Sequence, residues 1–334
     1  MSCRAILLLV ALTSAASAPG AGAASPEASS VQGRPRRAEA QETVTKRFAI
    51  GPEGSVDLTN FSGDIKVTGD AGAEVRLEAV KRVRAPQGDT RPLLESIVID
   101  AAESAGRLEV RTLFRKSRGV HAAVDYTVLV PAGTAVAVRS LAGDITVAGV
   151  KGDVQLETAN GTIVASRTPR LLRVKTLSGD IRLDEAASPR TLSAGTISGT
   201  IVARGIETRA LEVVSVSGDL SVNGANCERA ELRTVNGDVF FAGRLAKGGR
   251  YEFNTHSGDV ELGLGGKTGF QLTARTFSGE VRSDLALKLL TDPDADRLPP
   301  GVPRKQDVKG TFGDGSAQLL VTTFSGDVAV KRVH

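Results

Sequence analysis

The chain has 334 residues and a formal net charge of +4, with 37 glycines, only 4% aromatic residues and no tryptophan. So few aromatic residues exclude a base-stacking platform for single-stranded nucleic acid, and 42 basic against 38 acidic residues are close to balance. Three histidines and two cysteines give little material for a metal site or a His-dependent catalytic cluster. We therefore expect a folded, strand-rich protein without nucleic acid, metal or another cofactor.

The N-terminus has the layout of a secretory signal. Arg4 precedes an apolar stretch at 5–12 that is too short to span a bilayer, and small residues follow it. Cleavage after Ala18 or after Ala23 fits this layout. Since no later apolar run reaches the length of a transmembrane segment, the sequence predicts an exported protein of the periplasm or the cell surface.

The composition divides the chain into four segments. Residues 1–23 form the predicted signal peptide, and residues 24–46, which lack apolar periodicity, form a predicted disordered tether. Residues 47–138 contain the first copy of a repeat and longer strand-like stretches that we expect to cap one end of the fold. Residues 139–334 hold the other repeats, with a Pro-rich loop at about 284–310.

A five-residue phrase occurs ten times after the tether, for example as Leu177-Ser178-Gly179-Asp180-Ile181. From Gly143 to Gly279 successive phrase glycines are 18 to 21 residues apart, by subtraction of their numbers. A period near 20 residues indicates stacked units, and the alternating residues on both sides predict a strand, a tight turn, a second strand and a looser return. Glycine permits the bend, and we expect the Asp or Thr beside it to hydrogen-bond its own turn.

Two architectures fit this unit. In a coil, each strand pairs in parallel with its equivalent in the next repeat; in a hairpin array, Gly-Asp closes an antiparallel pair within one repeat. The regular period favours the coil, because stacking places like residues beside like residues. The predicted fold is thus all-β: a single-stranded parallel β-solenoid (β-helix) with rungs of about 20 residues, capped by the longer-stranded N-terminal segment.

These motifs together resemble a known family. The signal-like N-terminus, the Val-Pro-Ala-Gly sequence at 130–133, the Ser-Gly-Asp repeats and Gly313-Asp314-Gly315 are similar to the bacterial β-strand-repeat family called "putative adhesin", a domain of unknown function. The resemblance covers about residues 44–333. It implies an exported or envelope-associated β-solenoid, with some members linked to envelope stress responses, and it supplies no catalytic residues.

The polar positions of the phrase have two interpretations each. The turn acids could bind a cation, but one carboxylate per rung supplies few of the six to eight oxygens that calcium needs. The Thr or Ser three residues before each glycine could be a nucleophile, but most repeats contain no histidine to act as its base. His256 with Asp259 and Glu280 is only a weak metal candidate, and Cys227 is expected to be an incidental thiol in a return loop. We assign no catalytic, cofactor-binding or metal-binding residue.

The position two residues before each phrase glycine is apolar in nine of the ten copies, and we call this row the outer file. Strict alternation places it on the outer face, where an exposed apolar row marks a contact surface; burial by the terminal segments is the alternative. Besides Leu141 and Ala159, the outer file contains the candidate contact residues Phe61, Leu177, Ile197, Val216, Val235, His256, Phe277 and Phe324.

The leading hypothesis is a non-enzymatic exported cell-envelope protein, an adhesin-like scaffold that binds an envelope protein, a glycan or another copy of itself. The alternative is a carbohydrate-active β-helix enzyme, a polysaccharide lyase or hydrolase. Such an enzyme needs paired carboxylates, or a base with metal-binding acids, on one face, whereas the acids of this sequence are periodic.

Overall fold

The computed structural model describes residues 38–85, 90–114, 121–266, 268–289 and 306–333. The predicted signal peptide and the first part of the predicted tether lie outside these residues, as do residues 290–305 of the Pro-rich segment. Within the described ranges the protein is almost entirely β-structure, with twenty-four strands and one helix.

The elements of the N-terminal segment are one short helix and seven strands. They are β1 (Ala38–Phe48), β2 (Ser55–Asn60), β3 (Ile65–Asp70), β4 (Val75–Ala85), α1 (Arg91–Glu95), β5 (Ile97–Ser104), β6 (Arg107–Phe114) and β7 (His121–Pro131).

The strands of the repeats follow in two groups. The central group contains β8 (Ala135–Ala142), β9 (Ile145–Ala148), β10 (Val154–Asn160), β11 (Ile163–Thr168), β12 (Leu171–Ser178), β13 (Ile181–Gly195), β14 (Ile201–Arg204), β15 (Glu207–Val214), β16 (Leu220–Arg233), β17 (Val239–Asn254) and β18 (Val260–Gly265). The C-terminal group contains β19 (Phe270–Ser278), β20 (Val281–Ser283), β21 (Lys288–Leu289), β22 (Gln306–Phe312), β23 (Ala317–Ser325) and β24 (Val328–Arg332).

Equivalent strands of neighbouring repeats pair in parallel. Those that precede the glycine form one ladder, in the order β2, β8, β10, β12, β13, β15, β16, β17. Those that follow it form a second ladder, in the order β3, β9, β11, β13, β14, β16, β17, β18. Thr158 lies opposite Thr176 and Ile163 opposite Ile181, so the phrases are in register. In these rungs the Gly-Asp turn therefore connects two parallel ladders and does not close an antiparallel hairpin.

Alternation of side chains builds the narrow core between the ladders. Ile163, Ile181 and Ile201 stack one above another, each at most 1% exposed, while the residues between buried positions face outward. Burying such a side chain contributes roughly 1.5–3 kcal/mol, so a rung filled by Val, Leu and Ile is stable only between two other rungs.

The N-terminal segment continues both ladders beyond the first repeat. β6 pairs in parallel with β2, and β7 with β3; β5, β4 and β1 then add antiparallel strands at this end. The expected tether is wrong for residues 38–46, because β1 pairs along its whole length with β4. β1 is an edge strand whose described side chains are mostly exposed, which explains why its sequence shows no apolar period.

The C-terminal end departs from chain order. β23 pairs with β17 on one side and with β19 on the other, and β24 lies between β18 and β20. The last repeat of the sequence is therefore inserted before the penultimate one. The expected loop at 284–310 is narrower than predicted, because β21 and β22 lie within it and β22 pairs antiparallel with β19.

Candidate functional site

Each phrase glycine lies directly on the glycine of the neighbouring rung. Gly218 has φ +148°, and a Cβ atom there would lie 2.0 Å from the carbonyl oxygen of Gly199. Both the backbone angle and the close approach require glycine at this position. The turn backbones of successive rungs thus touch, and they form a narrow ridge between the two ladders.

The turn acids bind the next rung. The Asp238 Oδ1 atom accepts a hydrogen bond from the backbone N–H of Asp259 at 2.8 Å, and Asp259 Oδ1 accepts one from Asp327 at 2.7 Å. This differs from our expectation of a bond within the same turn, because the N–H after each glycine points along the stack towards the neighbouring carboxylate. The same bond is made by Asp64, Asp125, Asp144, Asp180, Asp219 and Asp327.

The buried threonines three residues before the glycines also bind the neighbouring turn. Thr255 Oγ1 donates to the carbonyl oxygen of Gly237 at 3.0 Å, and Thr276 Oγ1 donates to that of Gly326 at 3.0 Å. Ser215, at the equivalent position, has a buried hydroxyl without a partner. A hydroxyl that is buried and bonded to a backbone carbonyl stabilises the stack and is not presented to a substrate.

The outer file lies on the surface along the whole stack. Its exposed members are Leu141 (53%), Leu177 (52%), Ile197 (49%), Val216 (43%), Val235 (43%), Phe324 (48%), Phe277 (43%) and His256. Phe61 and Ala159 are half-buried. Among the described residues no other strand or loop covers this row, so it forms a continuous apolar strip one side chain wide.

Stacked rings form both ends of the outer file. Phe324 lies between His256 and Phe277, with ring centroids 4.9 Å and 4.8 Å apart and interplanar angles of 13° and 5°. At the other end Phe61 stacks on Phe114 at 5.4 Å. The faces of the inner rings are therefore covered by their neighbours, and these rings present mainly their edges to solvent.

Phe114, which the sequence analysis missed, stacks on Phe61 but is itself half-buried and packs against the core, while the exposed residue at this end of β6 is Leu113 (54%). Its rung lacks the glycine phrase, but Asp125 Oδ1 accepts the N–H of Asp64 as a turn acid would, and Val124 donates its N–H to the carbonyl of Ser62. The only signal in the sequence is an apolar-polar alternation at 107–114, which does not fix which residue faces outward.

Charged residues flank the outer file on both sides. The basic flank lies on one side and consists of the residues four positions before each glycine. It belongs to the same strands as the outer file, two residues away from it. It contains Thr59, Arg139, Glu157, Lys175, Gly195, Val214, Arg233, Asn254, Thr322 and Arg275. On the other side, directly after each glycine, is the acidic flank. It contains Asp64, Asp144, Thr162, Asp180, Thr200, Asp219, Asp238, Asp259, Asp327 and Glu280.

A shallow groove of about 780 Å³ interrupts the basic flank at its middle. It opens over Gly195, which has no side chain, between Lys175 and Val214, and Ile197 and Val216 of the outer file form one wall. Arg139, Arg233 and Arg275 already pair with acids of their own chain, whereas Lys175 has no ion-pair partner within the described part of the protein.

Cys227 lies within β16 and is buried, so its expected place in a return loop is wrong. Burial raises the pKa of the Cys227 thiol to about 12. The Tyr251 hydroxyl donates to the Cys227 carbonyl oxygen at 2.6 Å. The thiol is thus protonated at neutral pH and shielded from reagents. His256 contacts Phe324 through its ring, and the described residues contain no group of three His, Cys, Asp or Glu side chains arranged to hold a metal ion.

Comparison with solved structures finds relatives of low sequence identity. A "putative cell adhesion protein" from Clostridium sporogenes is 10% identical, with 89% of this chain and 100% of that chain covered and a TM-score of 0.20. A "putative adhesin" from Bacteroides fragilis and another from Parabacteroides distasonis are each 10% identical, cover 87% of this chain and 97% of their own, and give TM-scores of 0.36 and 0.37. These scores are too low to carry an argument about function.

No curated protein matches the chain. No helix in the described ranges has the length and apolar character needed to cross a membrane. The Toastrack DUF4097 family model matches residues 62–331, which span the whole set of glycine phrases. The resemblance seen in the repeats is therefore confirmed, and the chain belongs to the Toastrack DUF4097 family.

Proposed function

We propose that the protein is a non-enzymatic, exported scaffold of the cell envelope that binds its partner through the outer file. Its repeats form one stack of rungs, which follows chain order in the centre and departs from it at both ends. The observation that carries the proposal is the exposure of the outer file, where seven Leu, Ile, Val and Phe side chains are each between 43% and 53% exposed in one continuous row.

The neighbouring positions support the interpretation of this row as a contact surface. The basic flank belongs to the same strands and contains no buried residue, yet it carries Arg, Lys or Glu in half of its ten rungs. The outer file carries no Asp, Glu, Lys or Arg in any rung. A long apolar strip with charged borders is typical of a surface that is buried when a partner binds.

The shape of the strip favours a protein partner over a glycan. Sugar rings stack on the face of an aromatic ring, whereas the face between Phe277 and Phe324 and the face between Phe324 and His256 are occupied. Aliphatic side chains at the middle rungs offer dispersion contacts but few hydrogen bonds. Export is supported by the signal-like N-terminus, and the suggested link to envelope stress rests on the family resemblance alone.

Binding is distributed along the stack, because each rung contributes one small apolar side chain. Deleting residues 200–218, which removes one whole period between two phrase glycines, is expected to weaken binding by a fraction and not abolish it. Loss of all binding after a single outward substitution, with folding preserved, would contradict a distributed surface.

The direct test is capture of partners from envelope extracts by the chain without residues 1–23. The Phe277→Ser and Phe324→Ser double variant should capture clearly less of the partner protein, while Phe240→Ser, a half-buried aromatic residue on the neighbouring face, should capture as much as the unchanged chain. Circular dichroism and thermal melting establish that both variants are folded. Unchanged capture by the folded double variant would overturn the proposal.

A further inference from the structure

We propose that the partner of the outer file is a second copy of this chain, packed face to face about a two-fold axis parallel to the ladders. This inference rests on the proposed function, because it uses the same surface and names what that surface binds. Three features of the strip point to a second copy: its spacing, the charges of its two flanks and its area.

The spacing of the outer file matches another stacked β-structure. Its side chains repeat once per strand, at about 4.8 Å along the stack. A helix rises about 1.5 Å per residue and an extended peptide about 3.3 Å, so neither keeps in step with the file over many rungs. A second stack of rungs has the same repeat and can contact every member of the strip.

The charges of the two flanks favour one direction of the two-fold axis in the dimer. Four residues of the basic flank are cationic and one is anionic, whereas the acidic flank contains only acids and two threonines. A two-fold axis perpendicular to the ladders places each flank against itself and opposes like charges. A two-fold axis parallel to the ladders places the basic flank of one copy against the acidic flank of the other, at the same rung.

The charges agree with this arrangement rung by rung. Every rung with a cation on the basic flank has an acid on the acidic flank, and the one rung with an acid on the basic flank has a threonine opposite. The cationic rungs are Arg139 with Asp144, Lys175 with Asp180, Arg233 with Asp238 and Arg275 with Glu280, and the remaining charged rung is Glu157 with Thr162. No rung therefore opposes two like charges.

The area is sufficient for a specific dimer. Ten rungs at about 4.8 Å extend over roughly 43 Å, and the six residues from one flank to the other, which are five steps of about 3.3 Å, extend over roughly 16 Å. The strip and its flanks thus cover roughly 700 Å² per copy, which is close to the roughly 800 Å² per partner of standard interfaces.

Single-cysteine cross-linking tests the symmetry in the chain without residues 1–23. Leu177→Cys and Phe324→Cys lie several rungs apart, and a parallel two-fold axis places each residue opposite its own equivalent, so a short bis-maleimide should give covalent dimers with both variants. Arg204→Cys, exposed on the neighbouring face, should give none. Cys227 is buried and does not react. Cross-linking of Arg204→Cys, or of only one of the two file variants, would overturn the proposed arrangement.

Charge substitutions at one position test the flanks by sedimentation equilibrium. Thr162→Lys would face the partner's Glu157 twice in the dimer and should tighten dimerisation several-fold; Thr162→Asp would oppose like charges and should weaken it several-fold. A new carboxylate at 162 can also accept the N–H of the next rung, so the variant expected to weaken the dimer does not lose a bond of the fold. Thr146→Lys and Thr146→Asp, on the neighbouring face, should leave dimerisation unchanged.

The outcomes separate the two proposals. A chain that stays monomeric at high concentration, without cross-links, but captures less protein in the Phe277 and Phe324 double variant overturns the dimer and retains the binding surface. A dimer whose affinity does not respond to substitutions at Leu177, Ile197 or Thr162 overturns the proposed dimer. If the Phe277 and Phe324 double variant also captures as much protein as the unchanged chain, the proposed binding surface is overturned as well.

Discussion

The central rungs and the C-terminal rungs use the same turn chemistry but differ in connectivity. In the centre, Gly218 lies on Gly199, and chain order equals stacking order. At the C-terminus, Gly326 lies on Gly258 and Gly279 on Gly326, with equally close approaches of 2.0 Å and 2.1 Å to the carbonyl oxygens below. A rung that carries the phrase therefore stacks on another rung that carries it, whether or not the two follow each other in the sequence.

The reason for the inversion lies at the outer edge of the last rung. β22 pairs antiparallel with β19 and covers the strand edge that would otherwise be open. The strands that follow β22 then lie between β17 and β19. The phrases at 276–281 and 323–328 differ only by Glu280 in place of Asp327, so either sequence could stack on the rung of Gly258.

The largest effect should follow removal of residues 306–334. This deletion removes the rung of β23 and β24, with Leu319, Val321, Val328 and two other buried apolar side chains, and should destabilise the C-terminal rungs by roughly 5–10 kcal/mol. Hydrogen exchange should show loss of protection at 250–254 and 270–278, and retained protection at 154–165. Loss of protection in the central strands would show that the two regions do not fold separately.

An intermediate effect is expected from Gly218→Ala in the centre. The positive φ and the 2.0 Å approach to the Gly199 carbonyl should together cost about 3–5 kcal/mol in the free energy of unfolding by urea. The matched control is Gly248→Ala, where φ is +72° but no atom lies within 4 Å, so that only the backbone strain of about 1–2 kcal/mol remains.

The same substitution at Gly326 tests whether the inserted rung is coupled to its neighbours as tightly as a central rung is. Its clash with Gly258 is as severe, but we expect Gly326→Ala to release only the inserted rung, with a first unfolding transition confined to the C-terminal strands. A single transition, shifted as far as that of Gly218→Ala, would mean that the inserted rung is as tightly coupled as a central one.

The smallest effect concerns the stability of the protein at alkaline pH. The two tyrosines lie in the two end regions of the stack. Tyr126 in β7 and Tyr251 in β17 are buried, and desolvation raises the pKa of each from 10 to about 12. The neutral phenols therefore contribute stability that is present below pH 10 and is lost as the pH rises through about 12. Ultraviolet titration of tyrosinate should show no ionisation near pH 10 in the folded protein, and half of the signal appearing there would contradict the burial of one tyrosine.

The regular part of the fold could be predicted from the sequence because it depends on residues that are close together in the sequence. A glycine at the bend, Thr176 and Ile181 on the inner side and Leu177 on the outer side follow from strand alternation and the turn. The order of the last rungs could not be predicted, since nearly identical phrases at Gly279 and Gly326 make either order equally favourable. Edge strand β1 was missed for a related reason: it is held by backbone pairing and has no apolar face of its own.

The outer file could be identified in advance, but its extent and its charged borders could not. The rung that contains Leu113 and Phe114 lacks the phrase, and the position of Lys175 and Asp180 at the two borders of one strip is visible only in the folded chain. The acids also bind one rung further along than their own turn, because their partner N–H groups belong to the neighbouring rung, which local sequence does not specify.

The inserted rung makes the time order of synthesis differ from the spatial order of the fold. β19 leaves the ribosome before β23, yet β23 lies between β19 and the rest of the stack. In a nascent chain, residues 270–283 therefore either remain unpaired until β23 has been made, or pair with β17 first and are displaced from it later. In either case the strands at this end reach their final neighbours only after residues 317–332 have been made.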